Sequence, residues 1–293
     1  MRVLCFGSAN IDYVYPVPRF VTAGETLAAG PREVHPGGKG LNQAVALARA
    51  GAETAFAGRA GADGLFLKEL LENSGVSTGH FELIPGQPTG HAVIQRDPSG
   101  QNCILLYAGA NGTVDPAFAD RVLSGYGRGD ILLVQNEIPH VPHIIRRAKS
   151  SGMTVAVNPS PVSEEMRNWP WDCVDLIILN ETEGAFFTRS EALTAADISA
   201  LRSLFPDTDI VLTLGTEGSV YGGSAGIWSV PAYPAEAVDT TGAGDTYTGY
   251  LIAELARGNS FRSAMETASK AAAIAVSRPG AASSIPCLSE LDR

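Results

Sequence analysis

Short apolar runs alternate with helical spacing along the chain. Val3–Gly7, Thr54–Gly58, Ile131–Gln135, Thr154–Val157, Leu176–Leu179 and Ile210–Leu214 are rich in Val, Ile and Leu. Such runs predict strands covered on both faces. Between them, Leu41, Ala44, Val45 and Ala48 follow i, i+3, i+4, i+7 spacing, with Gly51 as the stop. Leu65–Asn73 and Thr194–Leu204 read the same way, and two longer helices are predicted at about Gly244–Ala256 and Phe261–Ser277. This alternation predicts an α/β fold, a mostly parallel sheet flanked by helices on both faces.

Two stretches break the rhythm. Asp12–Val34 carries Pro16, Pro18, Gly24 and Gly30 between short extended pieces. Thr89–Tyr107 holds two strand-like runs, His91–Arg96 and Asn102–Tyr107, around the turn Asp97–Gly100. Neither shows a crossover helix. They predict a small antiparallel β lid, with strands roughly within 12–35 and 88–108, inserted in a single domain spanning 1–293. The length alone would allow two units of about 150 residues. No repeat, low-complexity tract or linker divides it.

Composition narrows the function. With 45% apolar and 18% charged residues the chain can bury a full core. The charge balance, 21 − 31 = −10, disfavours nucleic acid or an anionic membrane as partner. It leaves room for a small anion held by backbone N–H groups. The four cysteines are far apart and form no CxxC, so reduced thiols are expected rather than disulfides or zinc. The first residues are too short for a signal peptide, and no run reaches the ~18 apolar residues of a membrane span, so a cytoplasmic protein is expected.

Ligands of an open parallel sheet bind beyond the carboxyl ends of its strands. There the chain places Ser8, Asn10 and Asp12; Asn136 and Glu137; Asn158 and Ser160; Asn180 and Glu183; and Gly215–Gly218. The strongest local signal is Asp239-Thr-Thr-Gly-Ala-Gly-Asp245 at a helix start. Gly242, Ala243 and Gly244 would offer free N–H groups and the positive end of the helix dipole as an anion hole. Asp245, in the first turn, is placed to take a proton from a hydroxyl attacking a phosphoryl group. Pro36-Gly-Gly-Lys-Gly-Leu-Asn-Gln43 opens another helix and lets backbone approach a ligand closely. It is not a Walker A loop, since Glu33 and Gly40 stand where that motif needs Gly and Ser or Thr. No GxGxxG follows the first strand, which argues against a dinucleotide oxidoreductase. His140 and His143 read as surface or capping groups rather than metal ligands, and Trp169 and Trp171 as packing. Ser219 and Ser224 lack the partners of a hydrolase triad.

Together these segments resemble the ribokinase-like family of sugar and nucleoside kinases over nearly the whole chain. The matching stretches are Gly7–Asp12, Gly37–Ala44, Ala108–Asn111, Asn180–Glu183, Thr213–Gly218, Asp239–Asp245 and Ala271–Gly280. The resemblance implies ATP-dependent phosphorylation of D-ribose at O5. The near alternative is another sugar or nucleoside, and the remote one a sugar-binding protein without turnover. It implies that Asn10, Asp12, Gly38, Lys39, Asn42 and Glu137 bind the sugar, and that Asp245 is the general base beside the anion hole. Thr213, Gly215, Thr216, Gly218 and Gly244 would border the nucleotide, with Ser269 near its base. Asn180 and Glu183 would position Mg²⁺ through water. Asp239, Thr241, Ala275, Arg278, Gly280 and Ser284 match positions that hold an activating monovalent cation, K⁺, several through backbone oxygen. The lid would pair two subunits into a homodimer. Two residues depart from the family pattern: Ser269 stands where His is common, and Asn136 where Leu usually precedes the sugar-binding Glu.

Overall fold

Val3, Leu4, Cys5 and Phe6 are all fully buried, so the first strand must lie inside a sheet covered on both sides. The computed structural model, which describes residues 1–191 and 193–291, has that arrangement. The elements run β1 (Val3–Phe6), β2 (Asn10–Pro16), β3 (Glu33–Gly37), α1 (Lys39–Arg49), β4 (Thr54–Gly61), α2 (Leu65–Asn73) and β5 (Ser77–Ile84). They continue with β6 (Gly90–Arg96), β7 (Asn102–Tyr107), α3 (Pro116–Leu123), β8 (Ile131–Val134), α4 (Val141–Ser150), β9 (Thr154–Val157), β10 (Leu176–Asn180) and α5 (Glu181–Thr188). The chain closes with α6 (Ile198–Leu204), β11 (Asp209–Thr213), β12 (Ser219–Gly223), β13 (Gly226–Val230), α7 (Ala243–Ala256) and α8 (Phe261–Val276).

A nine-stranded sheet is ordered β13-β12-β11-β10-β9-β8-β1-β4-β5. It is parallel from β5 to β11, and β12 and β13 close that edge as an antiparallel hairpin. Successive side chains of a strand point to opposite faces. Val3 and Cys5 accordingly join the core beneath α1, α2, α7 and α8, while Leu4 and Phe6 join the core beneath α3 to α6. Local signals fix the helix starts. Asp115 caps α3 with Pro116 following, Ser260 caps α8, and Asn180 and Glu183 form a reciprocal capping box on α5.

The lid is a separate sheet, ordered β3-β2-β6-β7. Its outer pairs are antiparallel, as expected, but the central β2–β6 pair is parallel. The cause is topological, since β2 leaves the carboxyl end of β1 and β6 follows that of β5, two strands of the same direction.

Trp169 and Trp171 do pack, stacked on one another with Phe187 and Phe205 against Trp171. His140 starts α4 in the left-handed region and His143 reaches Asp120 at 2.9 Å. The four cysteines are free. No helix among the described residues is long and apolar enough to cross a membrane.

One backbone crossing limits the architecture. A Cβ on Gly40, the second residue of α1, would lie 2.6 Å from Ser8 N and 2.7 Å from Gly7 Cα, backbone atoms that cannot swing aside. Gly40→Ala should therefore destabilise the protein by about 3 kcal/mol in urea unfolding. Gly79→Ala in β5, where nothing lies within 4 Å, should change stability by less than about 0.5 kcal/mol.

Candidate functional site

The carboxyl ends of the parallel strands and the starts of α1, α5 and α7 converge on one cleft. Its lining includes Lys39, Asn180, Glu183, Thr213, Gly242, Gly244 and Asp245 around a cavity of about 190 Å³. α1 and α7 pack on the same sheet face, which brings their first turns together. Asp245 is 8% exposed, and both its oxygens are held from α1. Asn42 Nδ2 donates to Oδ2 and Gln43 Nε2 to Oδ1, each at 2.9 Å. A buried carboxylate is tolerated only when it is hydrogen-bonded in this way. Asn42 Oδ1 is itself buried with no protein partner, an acceptor available to a ligand hydroxyl.

The rim toward the lid carries the other candidate sugar contacts. Gly38, at φ 91°, caps α1 where a Cβ would meet Asn10 N at 2.9 Å. Gly37 leaves room for the Asp12 carboxylate, 2.2 Å from where its Cβ would stand. Asn10 Oδ1 accepts from Asn111 Nδ2 at 2.7 Å, and Asn111 is also tied to the backbone of Ala9. Asn111 thus positions Asn10, the one role that the Ala108–Asn111 match left unassigned. Glu137 accepts from Lys39 N at 2.9 Å and from the Ser8 hydroxyl. The side chain of Asn136 turns away, to Pro161 O at 2.7 Å, and adds no polar group to the cleft.

Burial governs the charges. It raises the Glu137 and Glu183 carboxyls above their usual range, against the hydrogen bonds they accept. Burial and then the neighbouring Glu137 push Asp12 up to about 6. Burial alone would lower Lys39, but Asp245, Glu137 and Glu183 around it hold it above its usual value. The ammonium is the counter-charge of an acidic cleft.

At the opposite side, Gly242 starts α7 in the left-handed region at φ 76°. The N–H groups of the first turn have no partner within the helix. Ala243 differs from its expected place, because its N–H donates to Thr240 O at 3.3 Å and the residue does not line the cavity. Glu183 Oε2 and Asn180 Oδ1 each accept the other residue's backbone N–H, at 3.0 and 2.8 Å. Thr213 lines the cleft, while Gly215 and Thr216 are exposed just beyond it and Gly218 turns at φ 94°. Ser269 Oγ is engaged elsewhere: it accepts from Tyr233 N at 2.8 Å and donates to Pro231 O, fixing the segment after β13.

The segments proposed for a monovalent cation are brought together. Asp239 accepts from Thr241 N and Gly280 N, both at 2.9 Å, and Val276 O accepts from Val238 N and Asp239 N. The Arg278 guanidinium turns out to Glu290, leaving that residue only its carbonyl to offer. The Ser284 hydroxyl donates to Ala281 O and keeps its lone pairs free. Backbone carbonyls, a carboxylate and a hydroxyl are the oxygen ligands that a hard cation takes. Among the described residues no three of His, Cys, Asp and Glu gather to hold a metal.

The raised Asp12 group has a measurable consequence. Its carboxyl is near 3.9 in an unfolded chain and about 6 here, so the folded state binds more protons between those values. Stability is then greatest below about pH 4 for this group and is lost as pH rises through 6. Asp12→Asn should gain roughly 2 kcal/mol at pH 7.5 and flatten the profile between pH 4 and 6.5 in urea titrations at several pH values. Lower stability of the variant at pH 7.5 would contradict the assignment.

The chain matches the model of the "pfkB family carbohydrate kinase" over residues 1–288. It is 35% identical to a ribokinase of Haemophilus influenzae, over 97% of this chain and 95% of that one. Its fold is similar to that of a ribokinase from Cryptococcus neoformans in complex with ADP, at TM-score 0.85 and 33% identity, covering 99% of this chain and 98% of the other. It is also similar to an Arabidopsis thaliana ribokinase complexed with ribose and ATP, at TM-score 0.85 and 30% identity, covering 99% and 96%. The cleft with its paired helix starts and the match along almost the entire length agree: the chain belongs to the pfkB family of carbohydrate kinases.

Proposed function

We propose that this chain transfers the γ-phosphoryl group of ATP to O5 of D-ribose, yielding ribose 5-phosphate and ADP. The observation that carries the proposal is the Asp245 carboxylate, held on both oxygens by α1 and set beside Gly242 and Gly244, which line the cleft where α7 opens. Asp245 takes the proton from the O5 hydroxyl as the oxygen attacks phosphorus in line. The start of α7, at Gly242 and Gly244, receives the negative charge that develops on the phosphoryl oxygens. Lys39 neutralises part of that charge from the α1 side. Asp12 accepts from a vicinal hydroxyl pair, with Asn10, Glu137, the Gly38 backbone and the unpartnered Asn42 Oδ1 completing the sugar's contacts. Thr213 and the Gly215–Gly218 turn border the nucleotide, with Ser269 bracing the segment beyond.

Asn180 and Glu183 fit Mg²⁺ through water, since their side chains are already committed to each other's backbone. Bound Mg²⁺ neutralises the triphosphate. The Asp239, Thr241, Ala275, Arg278, Gly280 and Ser284 set fits K⁺, whose charge would brace the loop that starts α7. The enzyme works in the cytoplasm as a homodimer joined through its lid. Supporting this, the edge strand β7 leaves Ile104 and Leu106 exposed on one face and Leu105 and Tyr107 on the other, apolar surface that a second copy would cover.

ADP release should depend on ribose, exceed that with 2-deoxyribose, hexoses or nucleosides, and rise with K⁺. A better acceptor in the panel would move the substrate assignment to the lid, and silence throughout would favour a binding protein without turnover. Asp245→Asn should lower kcat by about 10²- to 10⁴-fold while calorimetry still detects ribose binding. Near-normal turnover would remove Asp245 as the base. Sedimentation should give a dimer for the native chain and a monomer for Leu105→Glu.

A further inference from the structure

Beside Asp245 lies a chain of buried amides, Gln135, Gln43 and Asn158, that the proposed sugar and nucleotide contacts do not use; of the three, Asn158 lines the cleft. Gln43 and Gln135 are both 0% exposed. Gln43 Nε2 donates one hydrogen to Asp245 Oδ1 and the other to Asn158 Oδ1, both at 2.9 Å. Its Oε1 accepts from Gln135 Nε2 at 2.6 Å. The second Gln135 hydrogen points to Cys5 Sγ at 3.7 Å, and the Cys5 thiol donates to Gly40 O at 3.2 Å. Burial pushes that thiol up to about 12, so it stays a neutral donor.

We infer that Gln135 and Gln43 form a one-directional amide relay that fixes the orientation of the Asp245 carboxylate, which makes both of them positioning residues for phosphoryl transfer. The direction is set from both ends. Asn158 Nδ2 must donate to Ile178 O, at 2.9 Å, so Asn158 offers only its oxygen to Gln43. The Gln135 amino group lies between two acceptors, Cys5 Sγ and Gln43 Oε1. Turning Gln43 over would set its oxygen against both Asn158 Oδ1 and the Asp245 carboxylate. The arrangement leaves Gln135 Oε1 buried without a partner. That oxygen faces Gly7, where a Cβ would stand 2.1 Å away. An orphaned buried carbonyl needs an explanation. Here it is the consequence of keeping the Gln135 amino group pointed at Gln43, and through it an N–H pointed at Asp245. Neither glutamine lines the cavity. Gln43 holds two groups that do line it, Asp245 and Asn158, and the proposal places the effect on Asp245 and the chemical step.

The inference rests on the proposed role of Asp245 as base, and the test separates the two. Gln43→Leu, Gln135→Leu, the double variant and Asp245→Asn are compared by steady-state kinetics with ribose and ATP, with melting temperatures to confirm folding. Gln43→Leu should lower kcat on the order of 30-fold and Gln135→Leu on the order of 5-fold, each with the KM for ribose changed less than about threefold. The double variant should match Gln43→Leu alone, because Gln135 acts only through Gln43. Multiplying losses, a rise in KM with kcat intact, or unchanged kcat in both single variants would overturn the relay. Asp245→Asn that is inactive while both leucine variants turn over normally would overturn the relay and leave the base standing. Asp245→Asn that remains active would overturn both. If Gln43→Leu does not fold, Gln135→Leu and Gln135→Met decide: lower kcat at constant KM supports the relay, and native kcat rejects it.

Discussion

The close approach of α1 and α7 is the contact on which the site depends. Gly249 makes it possible, since a Cβ there would lie 2.4 Å from Ala46 Cβ and 3.0 Å from Gln43 O. With the helices this near, Asn42 and Gln43 on the first turns of α1 reach the Asp245 carboxylate on the first turn of α7. The two helix N-termini face one point, and their dipoles make it attractive to negative charge. A carboxylate 8% exposed is acceptable there because α1 supplies a donor to each oxygen. A phosphoryl group arriving from the cleft would meet the same field.

The rest of the cleft is a set of carboxylates kept out of water. Glu137 and Glu183 are raised by burial, and Asp12 by burial and by Glu137 beside it, with the Lys39 ammonium as the opposing charge. Clustered carboxylates of this kind are poor for stability and suited to binding hydroxyl donors. The glycines around them are steric requirements of the same arrangement. Gly37 admits the Asp12 carboxylate, and Gly38 and Gly40 bring the start of α1 against the backbone of Ser8–Asn10. Closure of the lid over these groups would exclude water from the transfer.

Much of this was legible in the chain. The buried parallel strands stand out because both faces are apolar, and Leu65–Asn73, Thr154–Val157 and Asn102–Tyr107 have the boundaries their patterns predict. β5 gave no such signal. Only Phe81 of its residues is buried, the rest being exposed or half-buried with Gly79 and His80 among them, as suits a sheet edge. The β12–β13 hairpin was missed because Ser219–Gly223 sets Val220 and the fully buried Tyr221 among Ser and Gly rather than in a run of large aliphatic residues. The glycine-rich helix starts and Asp245 could be read locally, since each helix terminus is a local feature. The amide chain could not: Gln43 and Gln135 lie 92 positions apart and meet only when β1, β8 and α1 pack. The fate of Ser269 and Asn136, both turned to neighbouring backbone, likewise depends on loops whose course no short pattern specifies.

The central claim is that the paired starts of α1 and α7 bring a sugar hydroxyl to Asp245 in front of the anion hole. A crystal structure with ribose and a non-hydrolysable ATP analogue tests it most directly. The account predicts ribose O5 about 3 Å from Asp245 and the γ-phosphoryl group facing the backbone N–H groups of Gly242 and Gly244. Ribose bound with O5 turned away from Asp245, or the triphosphate seated away from the start of α7, would contradict it.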